Sequence, residues 1–250
     1  MSDDKIKILT LDIETSPHVA SVWGLWQQNV SLNQLRECTT VICWAAKWHG
    51  NSKVEFMSDH HDDHESMISW IWDLLDKADV VIGWNQKAFD LKHLNREFLL
   101  MGLSPPSKYV VVDLMLETRR NFRFASNKLD HVSQQLDIGH KLHHTGMDLW
   151  NGCVIRDDPK SWSLMKRYNI QDVKLTEKVF DALRPWLKMP NIALYMGLEG
   201  FVCPSCGSDA LQRRGYAYKS AGAYQRYQCT DCTKWSTDPK RLATTVLRPE

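Results

Sequence analysis

The sequence predicts an α/β protein: a mixed sheet with helices packed on it, followed by a small C-terminal unit rich in cysteine. Three observations predict this. Short runs rich in Val, Ile and Trp come first and then alternate with amphipathic helical stretches, the order expected of a mixed sheet covered by helices. The first run, residues 8–15, reads as a buried strand whose end carries Asp12 and Glu14 on one face. Four of the seven cysteines form two Cys-x-x-Cys pairs after residue 200.

After the first strand, residues 19–26 and 38–48 read as further strands around a short insertion at 31–37, and 53–58 as another. These early strands are expected to be antiparallel. Residues 62–76 place Met67, Ile68, Ile71, Trp72, Leu74 and Leu75 at helical spacing. A strand at 79–83, a helix at 90–101, a strand at 109–113 and a mostly helical region at 114–139 follow. A long helix is expected over 160–187, ended near Pro185 and Pro190.

With 250 residues, 43% of them apolar and 24% charged, the chain suits one large domain, or one medium domain with a small appendage. The net charge of +1 requires any nucleic-acid affinity to come from local patches. No stretch has a signal-peptide pattern or membrane-spanning length, so no membrane contact and a cytoplasmic location are expected. An odd cysteine count with paired knuckles argues for metal binding in a reducing compartment over disulfides.

Two acids on one strand face repel unless a cation sits between them. A second acid, Asp90, arrives at a helix start through the segment Asn85-Gln86-Lys87-Ala88-Phe89-Asp90, where it could also serve as a helix cap. On the long helix Tyr168 and Asp172 lie four residues apart and share a face. All four carboxylates are hard oxygen ligands suited to Mg²⁺ or Mn²⁺.

Together these stretches resemble the three motifs of the DEDD (DnaQ-like) 3′→5′ exonuclease superfamily, whose domain has an RNase H-like fold. Asp12-Ile13-Glu14 matches Asp-x-Glu, and residues 85–90 match Asn-x-x-x-Phe-Asp in the form of family B DNA polymerase proofreading domains. Residues 168–172 match Tyr-x-x-x-Asp. Asn127-Lys128-Leu129-Asp130-His131-Val132 is similar to a helix those domains carry between motifs two and three. The family's other branch has His five residues before the last Asp, where Arg167 stands, so Tyr168 fits the tyrosine branch. The resemblance covers about residues 5–188. It implies a stand-alone exonuclease that uses two Mg²⁺ or Mn²⁺ ions held by Asp12, Glu14, Asp90 and Asp172. Tyr168 would orient the attacking water, and the products would be nucleoside 5′-monophosphates from single-stranded 3′ ends. It further implies that Ile13 and the backbone beside it wedge the terminal nucleotide and that Asn85 and Phe89 shape the strand path, although Phe89 reads equally well as core.

Cys203, Cys206, Cys229 and Cys232 read as a four-thiolate zinc ribbon, with 22 residues between the pairs. The expected organisation is residues 1–190 as the RNase H-like domain and 200–240 as the ribbon, with 190–200 as linker. Between the knuckles Arg213, Arg214, Lys219 and Arg226 interleave with tyrosines, a pattern suited to nucleic acid, with protein docking as the competitor. Arg119, Arg120, Arg123 and Lys128 form a second basic run, suited to phosphate contact or to a solvated face. Trp23, Trp26 and Trp84 are candidates for base stacking, and Cys38, Cys43 and Cys153 read as small buried residues. DNA is favoured over RNA by the resemblance alone. A non-catalytic binding module of the same fold is the third reading, against which the intact acids and Tyr168 count.

Overall fold

A computed structural model describes residues 6–195, 197–220 and 222–243. The start of the expected 1–190 domain (residues 1–5) and Met196 of the expected linker lie outside the described residues. The chain divides into two compact units, Lys7–Phe180 and a second that begins at Asp181.

The first unit contains β1 (Ile8–Thr15), β2 (Val19–Ala20), β3 (Leu35–Glu37), β4 (Val41–Trp48), β5 (Glu55–Ser58), α1 (His64–Asp76), β6 (Val80–Gly83), α2 (Asp90–Leu100), β7 (Val110–Asp113), α3 (Leu114–Asn121), α4 (Leu129–Gln135) and α5 (Met147–Val154). Most of α6 (Pro159–Leu183) completes it. Five strands form one mixed sheet in the order β5-β4-β1-β6-β7, antiparallel on the β4 side of β1 and parallel on the β6 side. Strands β4 and β6 are apolar along nearly their whole length, as strands covered on both faces must be, whereas β1 alternates apolar with polar residues.

Alternation along β1 sorts its side chains. Leu9, Leu11 and Ile13 join Trp44 of β4, Met67, Ile68 and Leu75 of α1, and Leu94 and Phe98 of α2 in one core. Thr10, Asp12 and Glu14 point to the opposite face, which α6 covers: Asn169 bonds Asp12, and Glu177 pairs with Lys47 of β4. A second core on this side joins Ile42 and Cys43 to Leu149, Cys153, Trp162, Met165 and Tyr168 of α5 and α6.

The helices start and stop for local reasons. Asp63 caps α1, its carboxylate accepting from the Ser66 amide at 2.8 Å, and Asp113 caps α3 through the Leu116 amide at 3.2 Å. The long α6 gives way to a 3₁₀ turn at Arg184–Trp186, which contains Pro185.

Four sequence expectations are corrected. Of residues 19–26 only Val19–Ala20 is strand, paired with β3 in a separate two-stranded ladder; residues 21–30 have no partner strand and leave Trp23 and Trp26 exposed. Helix α5 falls in residues 140–159, a stretch for which the sequence indicated no element. Cys38 is exposed, while Cys43 and Cys153 are buried. Segment 190–200 is not a bare linker: α7 (Ile192–Tyr195) buries Ile192 and Ala193, and the Ile192 amide donates to the Pro204 carbonyl at 2.7 Å.

The second unit ends in an antiparallel sheet of β8 (Leu211–Lys219), β9 (Gly222–Cys229) and β10 (Trp235–Ala243), with β9 central. Among the described residues no helix is long and apolar enough to cross a membrane.

Candidate functional site

Parallel strands β1, β6 and β7 point their C-terminal ends to one edge of the sheet, and the acids leave from that edge. Carboxylate oxygens of Asp12, Glu14 and Asp172 lie within 4.8 Å of one another. Asn169, one helical turn before Asp172, donates to Asp12 Oδ2 at 2.7 Å and to the Asp12 carbonyl at 3.2 Å, which fixes α6 against the strand. Asp90 stands beside this trio. It is the first residue of α2 and does not cap the helix; its Oδ1 accepts the Ile13 amide at 3.1 Å across the end of β1.

Burial, joined by crowding, raises these acids above the usual carboxylate range. Burial, then the Asp172 charge, pushes Glu14 up to about 8, and burial pushes Asp90 up to about 7. Asp12 is raised by burial and then by Asp90, Glu14 and Asp172; burial also raises Asp172. Such a cluster calls for positive charge. The donors are all hard oxygens, and Asp172 Oδ1 is buried with no hydrogen-bond partner among the described residues, so the site fits divalent cations.

One cation is built into the chain. Lys141 reaches in from the segment between α4 and α5, with its Nζ 2.5 Å from Asp172 Oδ2 and donating to the Tyr168 hydroxyl at 2.8 Å. Burial alone would pull this ammonium down, but Asp172 and Tyr168 outweigh it and hold it above the ordinary lysine value. Tyr168 is itself raised by burial and by Asp172 and Glu14, so its phenol stays protonated. Sequence reasoning did not find Lys141. It lies 27 residues before Tyr168, in a loop without periodicity, and the only signal was its place among His140, His143 and His144. His144 packs edge-on against Tyr168, with centroids 4.8 Å apart.

The remaining motif residues occupy different environments. Ile13 is only 3% exposed, so its side chain belongs to the core and cannot wedge a nucleotide; it offers the site its backbone amide. Phe89 is not core: it is 38% exposed and rests on His93. Asn85 takes a left-handed conformation (φ 64°), which Asn tolerates well, and its amide donates to Asp113 Oδ1 at 3.2 Å. The Lys87 amide binds Asp113 Oδ2 at 3.0 Å, so Asp113 clamps the loop that delivers Asp90. Lys128 is exposed at the N-cap of α4.

In the second unit the four cysteines converge as one cluster. Cys203 and Cys232 Sγ are 3.6 Å apart, and Cys206 and Cys229 Sγ 3.7 Å. Tetrahedral zinc with sulfur at about 2.3 Å requires edges of roughly 3.8 Å, whereas a disulfide requires about 2.05 Å. The thiols therefore fit a zinc ion. The Ser205 amide points at Cys203 Sγ (3.4 Å), and Gly207 turns the knuckle with φ 78°. Arg213 and Arg214 are exposed on β8.

The family model of the RNase H superfamily matches residues 30–184. The chain belongs to the RNase H superfamily. The match takes in Asp90, Lys141, Tyr168 and Asp172 but begins after the strand that carries Asp12 and Glu14. Among solved structures, the family B DNA polymerase from the hyperthermophilic archaeon Pyrobaculum calidifontis is similar with a TM-score of 0.55 at 18% identity. The likeness covers 86% of this chain but 31% of the polymerase, and it concerns the fold. No curated protein matches the chain. The five-stranded mixed sheet flanked by helices is thus an RNase H-like fold, which supports nuclease activity on nucleic acid with divalent metal.

Proposed function

We propose that this protein is a metal-dependent 3′→5′ exonuclease of the tyrosine-type DEDD group. It would remove nucleoside 5′-monophosphates from single-stranded DNA ends. The observation that carries the reading is the convergence of Asp12, Glu14 and Asp172 within 4.8 Å, with the Tyr168 hydroxyl tied to the same corner by Lys141. Asp90 is the fourth acid, held to β1 by the Ile13 amide.

Two bound Mg²⁺ or Mn²⁺ ions would lower the pKa of the attacking water and stabilise the attacking and leaving oxygens. Asp12, Glu14, Asp90 and Asp172 would hold them. The Tyr168 phenol stays protonated and orients the water in line with the scissile P–O3′ bond. The water gives up a proton to solvent, its oxygen bonds to phosphorus, the P–O3′ bond breaks, and the departing 3′-oxygen takes a proton from solvent. The Lys141 ammonium offsets charge on the non-bridging phosphate oxygens. Asn85 and the exposed Phe89 flank the entry of the strand.

DNA is preferred on the likeness to a DNA polymerase. The same site on RNA, or a binding role without hydrolysis, makes a different prediction in the same experiment. We read the chain as two domains, residues 1–190 and 200–240, the second a zinc ribbon whose Arg213 and Arg214 assist in holding nucleic acid. Four reduced zinc-binding thiols suit the cytoplasm.

The test is time-resolved degradation of 5′-labelled single-stranded DNA and RNA with Mg²⁺ or Mn²⁺. The expected result is a ladder shrinking from the 3′ end, faster on DNA and lost in EDTA and in Asp12→Ala. Faster cutting of RNA would reassign the substrate. Intact oligonucleotides under every metal would overturn the enzymatic reading.

A further inference from the structure

Helix α3 ends at Asn121, and the chain returns through residues 122–128 to α4. This return encloses an open cavity of about 500 Å³ whose walls include Arg119, Arg120, Arg123, Phe122, Phe124 and Asn127, with no acid among its lining residues. The negative end of the α3 dipole accounts for Arg119 and Arg120, which sit in the last turn. It does not account for Arg123, beyond the helix, nor for two phenylalanines held part-buried around the same space. Arg120 meets Glu117 at 3.8 Å, a loose surface pair that leaves the guanidinium largely exposed. The Phe122 and Phe124 rings stand 5.8 Å apart at 49°.

The cavity is tied to the loop that delivers Asp90. The Trp84 indole donates to the Asn127 carbonyl in the cavity wall at 3.2 Å. On its other side that loop is clamped by Asp113, the cap of the helix that carries Arg119 and Arg120. A strand that left the candidate site along this loop would meet three guanidinium groups and two rings at the far end of α3, whose eight residues span about 12 Å. Guanidinium forks match phosphate oxygens, and aromatic rings stack on unpaired bases whatever their sequence.

We infer that this cavity is an upstream subsite for the single strand, with backbone phosphates on Arg119, Arg120 and Arg123 and an unpaired base against Phe122 or Phe124. The inference rests on the nuclease reading for the direction of the strand but not for its test. Fluorescence anisotropy of a labelled single-stranded oligonucleotide, measured in an Asp12→Ala background so that nothing is hydrolysed and the thiolate metal stays bound, compares that background with the same chain carrying Arg119→Ala/Arg120→Ala/Arg123→Ala. Affinity is expected to fall at least tenfold at about 0.1 M salt, with the log–log salt slope shallower by about 0.7 for each phosphate that the variant leaves unneutralised. Phe122→Leu/Phe124→Leu should weaken binding without changing that slope. If wild type is active, KM of the arginine variant should rise more on a long oligonucleotide than on a dinucleotide. Unchanged affinity and slope in the arginine variant would overturn the subsite even if the protein proves to be a nuclease. Equal loss of affinity for polyglutamate would also overturn it, because the surface would then be a general anion patch. If wild type cuts nothing, the nuclease reading fails while the anisotropy result still decides the subsite.

Discussion

Burial together with the Asp172 and Glu14 carboxylates raises the Tyr168 phenol and outweighs the Lys141 ammonium bonded to it. A phenol held above its usual value does not shed its proton near neutrality, so its contribution is orientation. Tyr168→Phe should therefore lower kcat by about 10- to 100-fold and leave the shape of the pH–rate profile between about pH 6 and 9 unchanged. Loss of a limb of that profile in the variant would show that the phenol titrates and would sink this assignment. Neighbouring acids give a second expectation, whose sign follows from linkage. Glu14 titrates at about 8 in the folded chain against an ordinary value of 4.5, so between these values the folded state binds more protons than the unfolded. Stability without metal should thus fall as pH rises through this window. Mn²⁺ should offset the fall because it replaces the protons, stabilising more at about pH 8 than at about pH 5.5. Melting of wild type and Glu14→Gln in EDTA and in Mn²⁺ checks this, with the metal-free fall expected to be smaller in the variant. Equal Mn²⁺ stabilisation at both pH values would refute it.

At the level of elements, the loop between β6 and α2 turns on Gln86. Its side chain is fully buried, and Nε2 donates to the Val81 carbonyl at 3.0 Å and to the Val112 carbonyl at 3.1 Å, bridging β6 and β7 where they end. A Cβ at Gly83 would lie 2.6 Å from Gln86 Oε1, so the strand end and the amide are fitted to each other. Gln86→Leu leaves two buried carbonyls without that donor and should cost ~2 kcal/mol in chemical denaturation. A change below about 0.5 kcal/mol would mean that the bridge is dispensable. Gln86 sits at an unspecified position of the Asn-x-x-x-Phe-Asp pattern, because its partners belong to strands that only the fold brings together. Lys141 escaped notice for the same reason, as did α5. By contrast, the separation of Ile13 from Asp12 and Glu14 was legible in the alternation of β1, and the helical spacings of α1, α2 and α6 marked those elements within a few residues. Residues 19–26 misled because Val and Trp favour strands, yet a strand also needs an edge to pair with, and beyond Ala20 there is none among the described residues.

Across the whole molecule the two units differ in what holds them together. The Lys7–Phe180 unit has apolar core on both faces of its sheet. The unit from Asp181 buries little beyond Leu183, Leu187, Ile192, Ala193, Tyr227 and two of its cysteines, too small a core to hold without a staple. Its eight basic and four acidic residues after position 200 add repulsion that zinc thiolates, at about −2, partly relieve. EDTA cannot separate the metals, since it strips the carboxylates and the thiolates alike. Cys206→Ser/Cys229→Ser touches only the ribbon. Elemental analysis should find one zinc per chain in wild type and none in this variant. The variant should lose the sheet signal of β8, β9 and β10, while hydrolysis of a dinucleotide with Mn²⁺ and the main melting transition persist, because neither depends on sulfur ligands. Collapse of both transitions together would show that the zinc staples the whole chain and that the two-domain reading is wrong. An unchanged melt with no zinc would show instead that the ribbon holds through its strands alone.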